Sequence, residues 1–112
     1  MKSARLNANG VLLPDGQLLV VGGNASGTET GPVMSPELFN PTTETWTTLA
    51  PHQVNRTYHS TALLLPDGRV FVGGGENPEK TAQNKAEIFS PPYLFKGPRP
   101  TISAPPSTVG YG

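Results

Sequence analysis

Two segments of this sequence return after about fifty residues, and this internal repeat limits the possible folds more than any other feature. Residues Val11–Gly23 return as Leu63–Gly75, an offset of 52 that is fixed by two Pro-Asp-Gly triplets starting at positions 14 and 66. A second segment, Glu37–Pro41, returns as Glu87–Pro91 at an offset of 50. Two separate segments with nearly the same period are typical of a chain built from repeated supersecondary units.

Each repeat is predicted to consist of short antiparallel strands. Leu63–Leu65 and Val70–Val72 are apolar or β-branched runs joined by Pro-Asp-Gly, a combination typical of tight hairpins. A third strand is expected at Ala86–Phe89, and third and fourth strands of the first repeat at Glu37–Phe39 and Thr45–Leu49. Since no stretch has a convincing helical period, the sequence predicts an all-β fold.

A period near 50 residues, with a glycine pair after the second strand and Trp46 in the fourth, is the kelch pattern of a β-propeller blade. We therefore expect two kelch-type blades in residues 1–97, with repeats of about 1–50 and 51–97, the second lacking a tryptophan-bearing fourth strand. A closed propeller needs about four to eight blades, so the propeller is expected to be incomplete and the chain to be a fragment or one piece of a larger assembly. Unpaired blade edges also predict self-association.

Composition and charge exclude several classes of protein. Eight Lys and Arg balance eight Asp and Glu, without the basic cluster that nucleic-acid binding requires. No apolar run approaches the ~18–20 residues of a membrane span, so no membrane partner is expected. Cysteine is absent from the 112 residues, which excludes disulfides, thiolate metal sites and a cysteine nucleophile within the chain.

The segment Asn55–Gly75 combines an Arg-x-Tyr-His-Ser motif with a Leu-Pro-Asp-Gly-Arg-Val hairpin and a glycine run. Together with Ala86–Leu94 and Arg99–Ile102, it resembles the galactose oxidase and glyoxal oxidase family of copper-radical oxidases, and within it the glyoxal oxidase-like branch. The resemblance implies that the two blades are the last kelch repeats of such a protein. It also implies that residues 98–112 are a linker and the first strand of an immunoglobulin-like C-terminal β-sandwich domain.

Details of that boundary and of localisation are also expectations. Pro92–Pro100 is predicted to be an extended, proline-bracketed linker, and Thr101–Ser103 to begin the strand of the next domain. The family is typically secreted, so an extracellular location is expected from the resemblance. Residues 1–10 lack the apolar core of a signal peptide, and the sequence by itself assigns no compartment.

The resemblance assigns copper and two site residues. It implies that Tyr58 is the axial copper ligand and the catalytic base that takes the substrate's hydroxyl proton, and that His59 is an equatorial ligand. The implied reaction oxidises an aldehyde or a primary alcohol with O2 and produces H2O2. Imidazole and phenolate suit Cu(II), and a bound cation lowers the pKa of a tyrosine from its ordinary value of about 10. Because neighbouring strand residues point to opposite faces, both side chains reach one metal only where the strand begins irregularly.

The chain also departs from the family. The family's radical cofactor is a tyrosine cross-linked to a cysteine, and this chain has no cysteine. The family's second histidine ligand belongs to the C-terminal domain. The other histidine of this chain, His52, is expected to be solvated in a loop. The chain is therefore expected to be inactive alone. A non-catalytic kelch-type binding or scaffold module is the alternative, and a non-functional remnant of a truncated gene is a third. Arg56, Glu37 and Glu87 are predicted to have structural roles.

Overall fold

The computed structural model describes residues 1–26, 30–76 and 81–101, together with residues 103, 108 and 110. Within these residues the chain has seven strands and one 3-10 helix, and none of its helices is long and apolar enough to cross a membrane. The strands are β1 (Asn9–Leu12), β2 (Leu18–Val21), β3 (Glu37–Asn40), β4 (Thr45–Thr48), β5 (Ser60–Leu64), β6 (Val70–Gly74) and β7 (Ala86–Phe89), and the 3-10 helix is Pro92–Phe95.

The strands form two antiparallel sheets that follow the two repeats. The first sheet has the order β1-β2-β3-β4 and the second β5-β6-β7, with each strand paired to its neighbour in sequence. This confirms the all-β prediction and the strand order of both repeats. In the described residues the second sheet has three strands, in agreement with the missing tryptophan-bearing strand.

Both Pro-Asp-Gly triplets form the predicted hairpin turns. The carboxylates of Asp15 and Asp67 accept the backbone N–H two residues later, at 3.2 and 3.0 Å. Gly16 and Gly68 have φ of 81° and 80°, a conformation that glycine adopts at low cost. The two aspartates are therefore turn residues.

The core lies between the two sheets. Its buried side chains come from three strands of the first sheet, the turn after β1, and β6 of the second: Val11, Leu13, Leu19, Val21, Leu38, Val70 and Val72. Strand alternation places Leu63 and Ile88 on the opposite face of the second sheet, in one row with Phe71. These two side chains remain 56% and 47% exposed, so the outward face of this sheet is apolar and uncovered in the described part of the chain.

The segment after β7 differs from the extended linker that the sequence predicts. Its first residues, Pro92–Phe95, form a 3-10 helix, because proline at the first position already has a helical φ and needs no hydrogen-bond partner for its nitrogen. Tyr93 anchors this helix by donating its hydroxyl to the carbonyl of Gly68. The strand predicted at Thr101–Ser103 includes Ile102, which lies outside the described residues, as does most of the predicted linker and domain start at 98–112.

Candidate metal site

Tyr58 and His59 lie in a tight turn immediately before β5. The stretch from Arg56 to the second Pro-Asp-Gly triplet is one residue longer than the stretch from Arg5 to the first. The extra residue is accommodated in this turn, where the Ser60 N–H lies 3.4 Å from the Thr57 carbonyl. His59 has a left-handed φ of 58°, as does Asn7 (55°) before β1. The irregular start of the strand, on which the sequence-based argument depends, is therefore present.

The turn brings the two side chains together. The ring centroids of Tyr58 and His59 are 3.9 Å apart, with a tilt of 32° between the rings. In a regular strand the two rings would lie on opposite faces of the sheet. Both are open to solvent: Tyr58 is 43% exposed and the His59 side chain 64%. A phenol and an imidazole thus share one accessible patch of surface.

A third polar side chain, Glu76, joins the patch, although it was not predicted from the sequence. Its Oε1 lies 3.0 Å from Nδ1 of His59. The signal was available in the hairpin: Ser60 pairs with Gly74, and continuing this register by two residues places position 76 opposite Tyr58. A count outward from the Pro-Asp-Gly turn would have found it.

The donor set fits part of a copper site. A phenol oxygen and an imidazole nitrogen are ligands that Cu(II) accepts in a tetragonal arrangement. Tyr58 and His59 would hold the ion, and Glu76 hydrogen-bonds to the second nitrogen of the imidazole. The described part of the chain has no group of three or more His, Cys, Asp or Glu side chains placed to bind a metal. The patch therefore offers two ligands, fewer than the ion needs.

Arg56, two residues before Tyr58, fixes the base of this turn. Its Nη1 donates to the carbonyls of Gly74 and Lys85 and its Nη2 to Glu87, all at 2.8 Å, and the side chain is fully buried. This confirms the structural role predicted for Arg56 and Glu87. Because the carbonyl of Gly74 belongs to β6, the arginine ties the strand that leads to Glu76 to the loop that carries Tyr58.

The first repeat contains the same device. Arg5 donates to the carbonyls of Gly22 and Ser35 at 3.1 and 3.2 Å and to Glu37 at 3.1 Å, and both charged side chains are 1% exposed. Glu37 has the structural role predicted for it. The correspondence of Arg5 to Arg56 was not predicted from the sequence, although the two arginines precede their glutamates by 32 and 31 positions.

His52 is not the solvated loop residue that the sequence predicts. Its side chain is only 7% exposed, and its Nδ1 lies 3.8 Å from Glu87, the partner of Arg56. Its backbone N–H donates to the carbonyl of Met34 at 2.9 Å, which draws the loop into the space between the sheets. His52 is thus a buried structural residue. Within the described chain its imidazole contacts Glu87 and forms no hydrogen bond or ion pair with Tyr58, His59 or Glu76.

Comparison with known proteins shows which family this chain belongs to. The sequence profile of the family described as the glyoxal oxidase N-terminus matches residues 1–93. Galactose oxidase of Gibberella zeae is 41% identical over 97 residues, covering 82% of this chain and 14% of that protein. The aldehyde oxidase GLOX1 of Arabidopsis thaliana is 33% identical over 132 aligned positions, covering 100% of this chain and 22% of that protein.

A solved structure is similar as well. A fungal alcohol oxidase of the AA5 family, determined in complex with copper, superposes with a TM-score of 0.76 at 39% identity, covering 84% of this chain and 21% of that one.

The relatives are oxidases, and this chain belongs to the family described as the glyoxal oxidase N-terminus. The match describes the N-terminal region of glyoxal oxidases, so this is the region that the chain is shown to span; it does not describe a last pair of repeats or a C-terminal domain. The chain spans about a seventh to a fifth of the length of these relatives.

Proposed function

We propose that this chain is part of a copper-radical oxidase of the glyoxal oxidase type, which oxidises aldehydes or primary alcohols with O2 and releases H2O2. The observation that carries the proposal is the turn before β5, which places Tyr58 and His59 side by side on an open surface. The motif around this pair is the one that resembles the copper ligands of the family, and the chain belongs to that family.

Each residue has a distinct proposed role. His59 holds the ion through an imidazole nitrogen, and Tyr58 contributes its phenol oxygen. When bound, copper supplies the electron-accepting chemistry and favours the ionised form of the phenol. Tyr58 is exposed, so a substrate hydroxyl can approach it, and its oxygen accepts the hydroxyl proton as the catalytic base.

The remaining parts of the site would come from outside these residues. The sequence contains no cysteine for a tyrosyl–cysteine cofactor, and His52 is buried against Glu87. We therefore propose that the 112 residues alone are inactive. A second histidine and the cross-linked tyrosine would be supplied by other segments of a longer protein, which the family expectation places outside the cell.

The proposed architecture is an incomplete propeller of two kelch-type blades, followed at 98–112 by the start of a C-terminal β-sandwich domain. Its support is the pair of successive antiparallel sheets that pack face to face. The apolar outward row of the second sheet, with Leu63 and Ile88 exposed, is the kind of surface that a further blade would cover.

A chimaera tests the proposed function directly. In galactose oxidase of Gibberella zeae, the region that aligns with this chain over 97 residues would be replaced by the aligned region of this chain. We expect H2O2 production from galactose or another primary alcohol, and its loss in Tyr58→Phe and His59→Ala versions of the chimaera. A folded, copper-loaded chimaera in which both substitutions leave the rate unchanged would contradict the roles assigned to these residues.

A non-catalytic kelch-type binding or scaffold module is the second candidate. It is favoured by the absence of a complete ligand set among the described residues. A scaffold needs no access to Cu(II), so this candidate predicts that copper binds no better to the natural chain than to a variant without Tyr58 and His59.

A further inference from the structure

Two contacts made by its backbone hold Glu76 next to His59. Glu76 forms an isolated antiparallel bridge with Ala82, and its carbonyl accepts the hydroxyl of Thr57. Thr57 is itself completely buried. The backbone of position 76 is therefore fixed relative to the turn that carries His59, although the two residues are 17 positions apart in the sequence.

The contact between the two side chains determines which imidazole nitrogen carries the proton. A carboxylate can only accept a hydrogen bond, so at 3.0 Å from Oε1 the Nδ1 atom must be the donor. In a neutral imidazole the electron pair then lies on Nε2. Metal-binding histidines commonly donate their other N–H to a carboxylate, which fixes the tautomer and the orientation of the ring.

The Tyr58 ring packs against the imidazole of His59, whereas Glu76 contacts one of its nitrogens. The His59 side chain is 64% exposed, whereas that of Glu76 is 23% exposed. The less exposed, backbone-anchored carboxylate is thus the fixed partner, and the imidazole is the group that it orients.

We propose that Glu76 is a positioning residue, which holds His59 in the Nδ1–H tautomer and presents Nε2 as the ligand atom. The benefit for metal binding rests on the proposed function, whereas the tautomer itself is a property of the metal-free chain. Removal of the carboxylate frees the ring and its proton, while an amide at the same place still offers an oxygen that accepts the Nδ1–H.

The first measurement is nitrogen NMR of the two histidine rings in the metal-free chain, at about pH 8.5, where an ordinary imidazole is neutral. We expect the Nδ1–H tautomer of His59 in the natural chain and in Glu76→Gln, and a mixture of tautomers in Glu76→Ala. Glu44→Gln, which removes an exposed carboxylate elsewhere, serves as the matched control and should leave the His59 signals unchanged. The buried ring of His52 reports in the same spectra whether each variant is folded.

The second measurement is Cu(II) affinity, followed by electron paramagnetic resonance. Loss of a carboxylate that orients a ligand weakens metal binding by about 10- to 100-fold, so we expect this loss in Glu76→Ala and a smaller one in Glu76→Gln. A natural chain that binds no Cu(II) while its tautomer still depends on Glu76 would contradict the proposed function alone. An unchanged His59 tautomer in a folded Glu76→Ala chain would overturn the positioning role, whatever the copper affinity.

Discussion

The buried arginines set the geometry of each repeat at the scale of single residues. The two Nη atoms of Arg56 exchange hydration for two carbonyls and one carboxylate, all at 2.8 Å, while its buried Nε has no hydrogen-bond partner among the described residues. Burial alone would raise the pKa of Glu87, but the N–H of Gln53, the Arg56 guanidinium and the nearby His52 outweigh it and hold the pKa below its usual value. Glu87 is therefore held in its charged form next to the buried guanidinium of Arg56.

Arg56→Met should destabilise the chain by about 3 kcal/mol, because it leaves a partly buried carboxylate and two carbonyls without their donor. Urea unfolding measures the loss. Arg69→Met is the matched control, since Arg69 pairs with Asp67 on the surface with 46% of its side chain exposed; the expected loss there is much smaller. Equal losses in the two variants would show that the buried contacts of Arg56 add no more stability than the surface pair of Arg69.

His52 makes stability depend on pH. Burial lowers the pKa of His52 below its ordinary 6.5; the nearby Arg56 and Arg5 charges act in the same direction and the Glu87 carboxylate opposes them. As the pH falls below 6.5 the unfolded chain binds this proton before the folded chain does, so unfolding becomes easier. Glu87 adds a loss of the same sign at lower pH, below its ordinary 4.5.

We therefore expect the free energy of unfolding to decrease between about pH 6.5 and 5, and His52→Gln to remove most of this slope. Chemical denaturation at a series of pH values checks it. His59→Gln is the control, because it removes an imidazole from the surface instead of from the space between the sheets. If the slope persisted in His52→Gln and disappeared in His59→Gln, the pH dependence of stability would come from His59 and not from His52.

At the scale of elements, the two sheets are held together by a close approach of backbone to backbone. The N–H of Gly23, two residues after the end of β2, donates to the carbonyl of Arg56 at 2.7 Å. A Cβ atom on Gly22 would lie 2.4 Å from that same carbonyl oxygen, and Gly22 also has a φ of 72°. Only glycine fits at this position, so the glycine pair of the repeat is a contact between sheets as well as the end of a strand.

Gly22→Ala should consequently be far more destabilising than Gly16→Ala. Both positions have a positive φ, which costs alanine about 1–2 kcal/mol, but a Cβ on Gly16 would meet nothing within 4 Å. Overpacking adds a further ~1–3 kcal/mol at Gly22. Thermal unfolding of both variants provides the comparison, and equal losses would show that the approach of Gly22 to Arg56 is not tight.

The elements were predicted well from the sequence because their signals are local. Pro-Asp-Gly specifies a turn through the backbone preferences of three adjacent residues, and the repeat then indicates the same strands twice. The 3-10 helix at Pro92–Phe95 was missed because proline-rich sequence suits both extended and helical starts. The burial of His52 was missed because it depends on Met34 and Glu87, which are distant in sequence.

The candidate site was predicted from the sequence only in part, for the same reason. Tyr58 and His59 were found because their motif is contiguous, whereas Glu76 depends on the register of a hairpin. The proximity of Glu76 to His59 also requires the left-handed conformation of His59, and no residue type in the turn predicts that conformation.

At the scale of the whole molecule, the described chain leaves apolar surface uncovered. Leu63 and Ile88 are exposed on one face of the second sheet, and Leu12, 69% exposed, lies at the end of β1 in the first. Edge strands β4 and β7 each pair on one side only in the described residues. Such surfaces favour association with another sheet.

The chain should therefore associate in solution, and the combined change Leu63→Thr and Ile88→Thr should shift it toward the monomer. Sedimentation or light scattering over a range of concentrations measures this. Phe95→Ser is the control, since Phe95 is 77% exposed but lies on the 3-10 helix outside the sheet. A compact monomer at all concentrations would contradict the prediction.

Copper binding by the 112-residue chain tests whether Tyr58 and His59 are metal ligands. Electron paramagnetic resonance during a Cu(II) titration should detect weak binding with nitrogen coupling from His59, and the combined Tyr58→Phe and His59→Ala variant should lose it, while His52→Gln should keep it. If the double variant bound Cu(II) with the affinity and spectrum of the natural chain, Tyr58 and His59 would not be copper ligands, and the proposed oxidase site would be wrong.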